Sequence, residues 1–322
     1  MRKPTIGLCL PSGGAKGISY IGVLKVFEKH GIKVSRISGS SIGAIIGSLY
    51  ASGFNAKDLE KIAKETDYVD LMDLTSLHTG LMSGEKAEKK IRELINDKRF
   101  KDLQIPLSII ATDINSGKRV IFEKGDVTQA VRASMAIPGV FNPVIVGKYT
   151  LVDGGVIDPM PLKVLEQHKV DKIIVIDIST EIKELNKIIA PKARSPFMKR
   201  VQKKIIELEI QNFRDYLKSN QLLPFGLDNL LKFFIKPKLI LRFLKKPKSI
   251  PKIFAIPSQS IDIMINQLEK LTLELSKPDV VIDVNTNGIG EWDFDKIDHL
   301  IKLGENAANA KLKEIKKITK VK

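Results

Sequence analysis

Gly39-Ser40-Ser41-Ile42-Gly43 stands between a short apolar run and a long segment of small residues, and it constrains the backbone more than any other stretch of the chain. A serine bracketed by glycines at this spacing suits a sharp strand-to-helix turn, where flanking Cβ atoms would collide with nearby backbone. Such an elbow lifts the central hydroxyl, that of Ser41, above a sheet and sets it at a helix N-terminus. There the N–H groups and the helix dipole favour developing negative charge. Taken alone, the pattern also fits an ordinary turn, since glycine and serine are common turn residues.

Two further stretches bear on the choice. Pro11-Ser12-Gly13-Gly14-Ala15-Lys16-Gly17 directly follows the apolar run Ile6–Leu10. The run reads as a buried strand, and Gly17 to His30 as an amphipathic helix closed by Gly31. A glycine-rich strand-to-helix loop turns several N–H groups in one direction and makes an anion nest. Neither G-x-G-x-x-G nor G-x-x-x-x-G-K-[ST] is present, so an oxyanion hole fits better than a nucleotide phosphate loop. The second stretch, Val152-Asp153-Gly154-Gly155, follows the expected strand Lys148–Leu151. It places an acid at a strand end with glycines allowing close backbone approach, although Asp-Gly is also a common hairpin turn.

Together these residues resemble the patatin-like phospholipases, serine lipid acyl hydrolases that use a Ser-Asp dyad. Ser12–Gly17 resembles the glycine-rich oxyanion motif, Gly39–Gly43 the nucleophile elbow and Asp153–Gly155 the aspartate motif. Ala133–Phe141 is similar to the Ser-x-x-x-Pro segment before that aspartate. The similarity runs over residues 5–180 and resumes near 279–310. It implies Ser41 as nucleophile and Asp153 as base, with Gly13, Gly14 and Ile42 giving the oxyanion hole. Gly17, Gly39, Gly43, Gly154 and Gly155 support the motifs. Lys16 either adds positive charge near the oxyanion or is a solvated first-turn lysine. Pro11 and Ser12 stand where the family usually has glycines.

A histidine base would require an α/β-hydrolase arrangement. His30 and His168 end helices, where a cation complements the dipole, and His78 lies in a polar stretch. His299, in a charged helical pattern, is the one triad candidate, which leaves a dyad with Asp153 as the better reading. No metal or cofactor is implied: Cys9 is the sole cysteine, and no zinc-like spacing occurs.

The alternation of apolar runs and helical patterns predicts an α/β fold with a mainly parallel central sheet and helices on both faces. Strands are expected at Leu107–Ala111, Arg119–Phe122, Lys172–Ile178 and Val280–Val284, and helices at Ala44–Ala51, Lys57–Glu65, Glu85–Leu94, Val127–Met135 and Leu162–Gln167. Gly43-x-x-x-Gly47 reads as close helix-to-sheet packing. The expected organisation is a catalytic core over 1–180, a helical basic insertion over 181–278 and a return to the core over 279–322. Within the insertion, Asn229–Ile261 contains eight basic residues and no acid, half of the chain's net charge of +16. Its Lys236, Lys238, Arg242, Lys245 and Lys246, interleaved with large apolar residues, suggest peripheral docking on anionic membrane; the other reading is a solvated helical cap over the site. The tail from Lys311 is expected to be an exposed, frayed helix end.

One cysteine and no signal peptide point to a cytoplasmic protein, peripheral at most on the inner face of a membrane. No specific nucleic-acid module is present, and nothing fixes the oligomeric state. The leading expectation is a lipid acyl hydrolase with a lipid or ester substrate. The alternatives are a general carboxylesterase or acyltransferase, and a non-catalytic membrane-binding protein.

Overall fold

Every residue of β1 (Ile6–Leu10) is buried, which a strand achieves only when both of its faces are covered. The computed structural model describes residues 2–73, 82–179 and 252–321, with single helical positions between 197 and 207. In it, Ile6, Leu8 and Leu10 join a large apolar cluster with α1 (Ser19–Lys29) and α2 (Ile42–Ala51). Cys9 belongs to a second cluster, with α6 (Leu162–Gln167) and Val175 of β7 (Lys172–Asp177). Gly7 shares that second face, since a Cβ there would lie 2.9 Å from Val170 and 3.3 Å from Leu165. The period-2 alternation of one strand thus separates two helical layers across the sheet.

The remaining strands are β2 (Arg36–Ser40), β3 (Leu107–Asp113), β4 (Lys118–Phe122), β5 (Val144–Val146), β6 (Tyr149–Asp153) and β8 (Val280–Asp283). Their order is β5-β6-β3-β2-β1-β7-β8, with β4 also paired to β3. The five strands from β3 to β8 in this order run parallel. Strands β4 and β6 are antiparallel to β3, and β5 is antiparallel to β6. The sheet is parallel at its centre, as the sequence suggests, and its antiparallel strands gather at one edge. Its antiparallel edge comes from a tight hairpin at Gly147 (φ 58°), and β5 is too short to show a periodicity.

The other described helices are α3 (Ala56–Glu65), α4 (Glu85–Ile95), α5 (Val127–Ser134), α7 (Lys252–Ser276), α8 (Ile297–Ala310) and α9 (Leu312–Thr319). The expected helix from Gly17 begins as a 3-10 turn, Gly14–Ile18, before α1. Helices α1 and α8 touch backbone to backbone: a Cβ on Gly22 would lie 2.0 Å from the Ile301 carbonyl oxygen, and one on Gly304 1.9 Å from that of Ser19. The tail from Lys311 is not frayed. In α9, Ile315 and Thr319 are buried and Leu312 and Ile318 pack on the main cluster, because these residues recur at helical spacing on one face.

Two compact units are present, one of residues 1–190 with 261–322 and the other of residues 191–260. Residues 261–278, read from sequence as part of the insertion, fall in the first unit. Among the described residues no helix is long and apolar enough to cross a membrane.

Candidate active site

The elbow forms where β2 gives way to α2. Ser41 takes φ 52° and ψ −120°, a conformation that an L-residue adopts only when its surroundings enforce it. Both glycines of the motif have steric reasons to be there. A Cβ on Gly43 would sit 1.9 Å from the Leu10 carbonyl oxygen, and one on Gly39 would sit 2.6 Å from that of Gly43. Gly47 continues the contact, facing Leu10, Ile37 and Leu107 side chains at 3.2–3.4 Å. The turn is locked from the other side by α5, whose Ser134 Oγ accepts the Ser41 N–H at 2.9 Å. In sequence Ser134 stands out only as the serine of the Ser-x-x-x-Pro segment, which does not reveal this acceptor role.

Sheet register brings the acid to the elbow. Ser40 pairs with Ile110 of β3, and Asp153, at the end of β6, pairs with the next residue, Ala111. The two strands thereby set residues 41 and 153 at one level, and Ser41 Oγ donates to Asp153 Oδ2 at 2.6 Å. The second carboxylate oxygen, Oδ1, accepts the Gly155 N–H at 2.7 Å. Asp153-Gly154 is no hairpin turn: a single 3-10 turn, Gly154–Val156, follows the strand. A Cβ on Gly154 would meet the Ile110 carbonyl oxygen at 2.3 Å and Ser40 Oγ at 2.6 Å, so glycine lets β2 and β3 approach. Burial pushes the Asp153 carboxyl up to about 7, against the hydrogen bonds from Ser41 and Gly155 and with a small contribution from the charge of Glu291.

The glycine loop crosses nearby. Gly13 (φ 142°) and Gly14 (φ 57°) both need the left-handed region, and a Cβ on Gly14 would lie 2.5 Å from the Glu291 carbonyl oxygen. The loop is tied at both ends: the Ser12 N–H donates to the Pro159 carbonyl at 2.8 Å and the Ala15 N–H to that of Glu291 at 2.8 Å. Ser12 is absent from the positive-φ residues, so a serine fits where glycine is usual, and its N–H is engaged elsewhere. Gly17 packs on Ile42, where a Cβ would come within 2.5 Å.

Lys16 is buried, which removes the reading of a solvated lysine. It interacts electrostatically with Asp262 and Glu269 of α7, whose carboxyls are pushed up by burial. Among the histidines, His299 is exposed on α8 and His168 pairs with Glu123 at 2.5 Å. His78 and the basic residues Lys236, Lys238, Arg242, Lys245 and Lys246 lie outside the described residues.

Ser41 opens on a cavity of about 190 Å³. Besides Ser41, Gly14 and Ile42, its walls are almost entirely apolar, with Leu59 and Ala63 from α3 and Ile91 from α4. Trp292 and Phe294, from the segment after β8, close another side, and Phe294 stacks on Tyr68 with ring centroids 4.4 Å apart. Phe141 also lines it and is held by Arg132, whose guanidinium lies 5.6 Å from the ring centroid and donates to the Asn142 carbonyl at 2.9 Å. Sequence reasoning finds none of these wall residues, because no local pattern says which apolar residues border a void.

The model of the patatin-like phospholipase family matches residues 8–166. That segment is a patatin-like phospholipase domain. It carries Ser41, Asp153 and the glycine loop, whereas Glu291, Trp292 and Phe294 lie beyond it. An uncharacterized NTE family protein of Mycobacterium tuberculosis is 34% identical over 179 residues, covering 55% of this chain and 49% of that protein. Human patatin-like phospholipase domain-containing protein 6 is 34% identical over 185 residues, 55% of this chain and 14% of that protein. A lysophospholipase of Debaryomyces hansenii is 31% identical over 182 residues, 55% of this chain and 12% of that protein. The chain therefore spans half or less of the length of these relatives. VipD of Legionella pneumophila shares the fold, with a TM-score of 0.54 and 15% identity over 98% of this chain and 67% of that one.

Proposed function

We propose that the patatin-like domain is a serine acyl hydrolase that cleaves a fatty acyl ester of a phospholipid through Ser41 and Asp153. The observation that carries this reading is the 2.6 Å hydrogen bond from Ser41 Oγ to a buried carboxylate, at the opening of an apolar cavity suited to an alkyl chain. Ser41 Oγ attacks the ester carbonyl while Asp153 takes its proton. The oxyanion is held by N–H groups of Gly13, Gly14 and Ile42, the last of them at the N-terminus of α2. Collapse expels the glycerol oxygen, which receives the proton from Asp153 and leaves an acyl-Ser41 ester. Water, deprotonated by Asp153, then attacks that ester, and the fatty acid departs as Oγ regains its proton. Buried positive charge on Lys16 adds to the field of the glycine loop.

The test is mass spectrometry of lipids after incubating phospholipid vesicles with wild type and Ser41→Ala. Free fatty acid and lysolipid from wild type alone support the reading; equal product from both proteins removes it. A fluorophosphonate probe should label Ser41 in wild type alone.

Only ionised Asp153 accepts a proton, and its carboxyl titrates near pH 7. We therefore expect kcat/KM for a soluble ester to fall about tenfold per unit below that pH and to level off above it. A flat profile between pH 5 and 8 would exclude Asp153 as the base.

Ala63 lines the cavity from α3, so Ala63→Leu would fill part of it. It should lower kcat/KM for long acyl chains roughly ten- to a hundredfold and leave acetyl esters nearly unchanged. Equal losses for both would place the alkyl chain elsewhere.

A further inference from the structure

The parallel strands bring the glycine loop and Ser41 to their C-terminal ends, and the β5–β6 hairpin projects past that end. Asp153 lies level with the dyad and Tyr149 four residues earlier on the same strand, so the hairpin tip stands about 13 Å beyond the catalytic level. The β3–β4 turn rises beside it, and the two are braced together. The Ile114 N–H donates to the Thr150 carbonyl at 2.9 Å, and Asn115 Nδ2 to Thr150 Oγ1 at 3.1 Å. The Thr150 N–H donates to Asp113 Oδ1 at 3.2 Å.

What this braced tip shows to solvent is unusual. Ile145 is 75% exposed and Ile114 52% exposed, although each has a neighbouring strand or turn against which it could have packed. Tyr149 is exposed too, with the Lys148 ammonium 5.5 Å from its ring centroid. Residues 114–118 and 144–150 contain two lysines, Lys118 and Lys148, both exposed, and no acid. The adjacent Asp113 is buried and engaged by Ser116 and Thr150. Exposed isoleucines, an amphipathic tyrosine and unopposed lysines on one rigid projection match the interfacial zone of an anionic bilayer. A second copy of this chain pairing along β5 fits less well, because that edge is three residues long and ends in Gly147-Lys148, features that blunt strand addition.

We propose that this double-turn tip is a docking surface for an anionic lipid bilayer, holding the patatin-like domain with its Ser41 end toward the membrane. The proposal rests on the lipid-hydrolase reading for its choice of occupant. It is independent of the basic segment 229–261.

The test compares wild type with an Ile145→Ser/Lys148→Glu double variant on vesicles of phosphatidylcholine with and without phosphatidylglycerol. Both side chains are exposed, so the fold should survive the change. Partitioning onto the anionic vesicles should drop roughly thirtyfold, with hydrolysis of a short soluble ester unchanged. Unchanged partitioning, or no binding by wild type, overturns the proposal. So does an equal loss of soluble-ester turnover, which would mark a structural role. Concentration-dependent self-association of wild type, abolished in the variant without a change in vesicle binding, would assign the tip to a second copy. Hairpin-dependent vesicle binding, with no fatty acid released by either wild type or Ser41→Ala, would uphold the docking surface and sink the hydrolase reading alone.

Discussion

An Asp153→Asn protein is expected to lose ester hydrolysis by roughly 10⁴-fold or more and yet to melt at a higher temperature than wild type at pH 8. The two effects share a cause. In the folded protein Asp153 titrates near 7, whereas in an unfolded chain it titrates near 3.9. Between these values the folded state holds a proton that the unfolded state has released, so wild-type stability declines as pH rises from about 4 to about 7. Above pH 7 the loss reaches up to about 4 kcal/mol, roughly three pKa units. Asparagine is neutral throughout and retains an acceptor for the Gly155 N–H. Melting curves of both proteins at pH 5 and pH 8 check this: the advantage of the variant should be small at pH 5 and large at pH 8. A difference independent of pH would show that the ionised carboxylate is not disfavoured by its surroundings.

Gly43→Ala should be among the most damaging small substitutions in the chain. On an exposed helix the change would stabilise by up to about 1 kcal/mol. Here the added methyl would sit 1.9 Å from the Leu10 carbonyl oxygen and 2.8 Å from that of Pro11. Neither backbone can move without shifting β1 against α2, so we expect a loss of about 3 kcal/mol or more. The displacement also tilts the elbow, so turnover should fall even where the protein remains folded. Gly31→Ala provides the comparison. Gly31 has φ 65° and no atom within 4 Å of its would-be Cβ, so only the backbone term of about 1 kcal/mol remains. Chemical denaturation of both variants separates the steric from the conformational cost; similar losses would mean that α2 yields easily.

The residues whose roles were legible in sequence are those that solve a local backbone problem. Gly39, Gly43 and Gly154 each avoid a clash within a turn or with the adjoining strand, and such needs leave short motifs. The buried parallel strands were readable for a related reason, since coverage on both faces produces unbroken apolar runs. Roles that depend on distant partners left no such trace. Ser134 accepts an N–H from a residue 93 positions away, and the Ser-x-x-x-Pro pattern marks the residue but not its partner. Lys16 is buried near acids on α7, which follows it by some 250 residues. Strand β5 was missed because three residues cannot show alternation. The tail looked frayed because its lysines outnumber its apolar residues, although the spacing of Leu312, Ile315 and Ile318 already described a buried face.

The segment after β8 sets an order of events for the growing chain. All the recognisable motifs have been synthesised by residue 155, yet the glycine loop is tied to Glu291 through the Ala15 N–H, and Trp292 and Phe294 wall the cavity. The close approach of α1 at Gly22 to the Ile301 carbonyl likewise waits for α8. A nascent chain carrying Ser41 and Asp153 thus lacks the anchor of its glycine loop and one wall of its cavity until residues 291–294 have left the ribosome. Ser41 and Asp153 are thereby synthesised well before the cavity beside them can close.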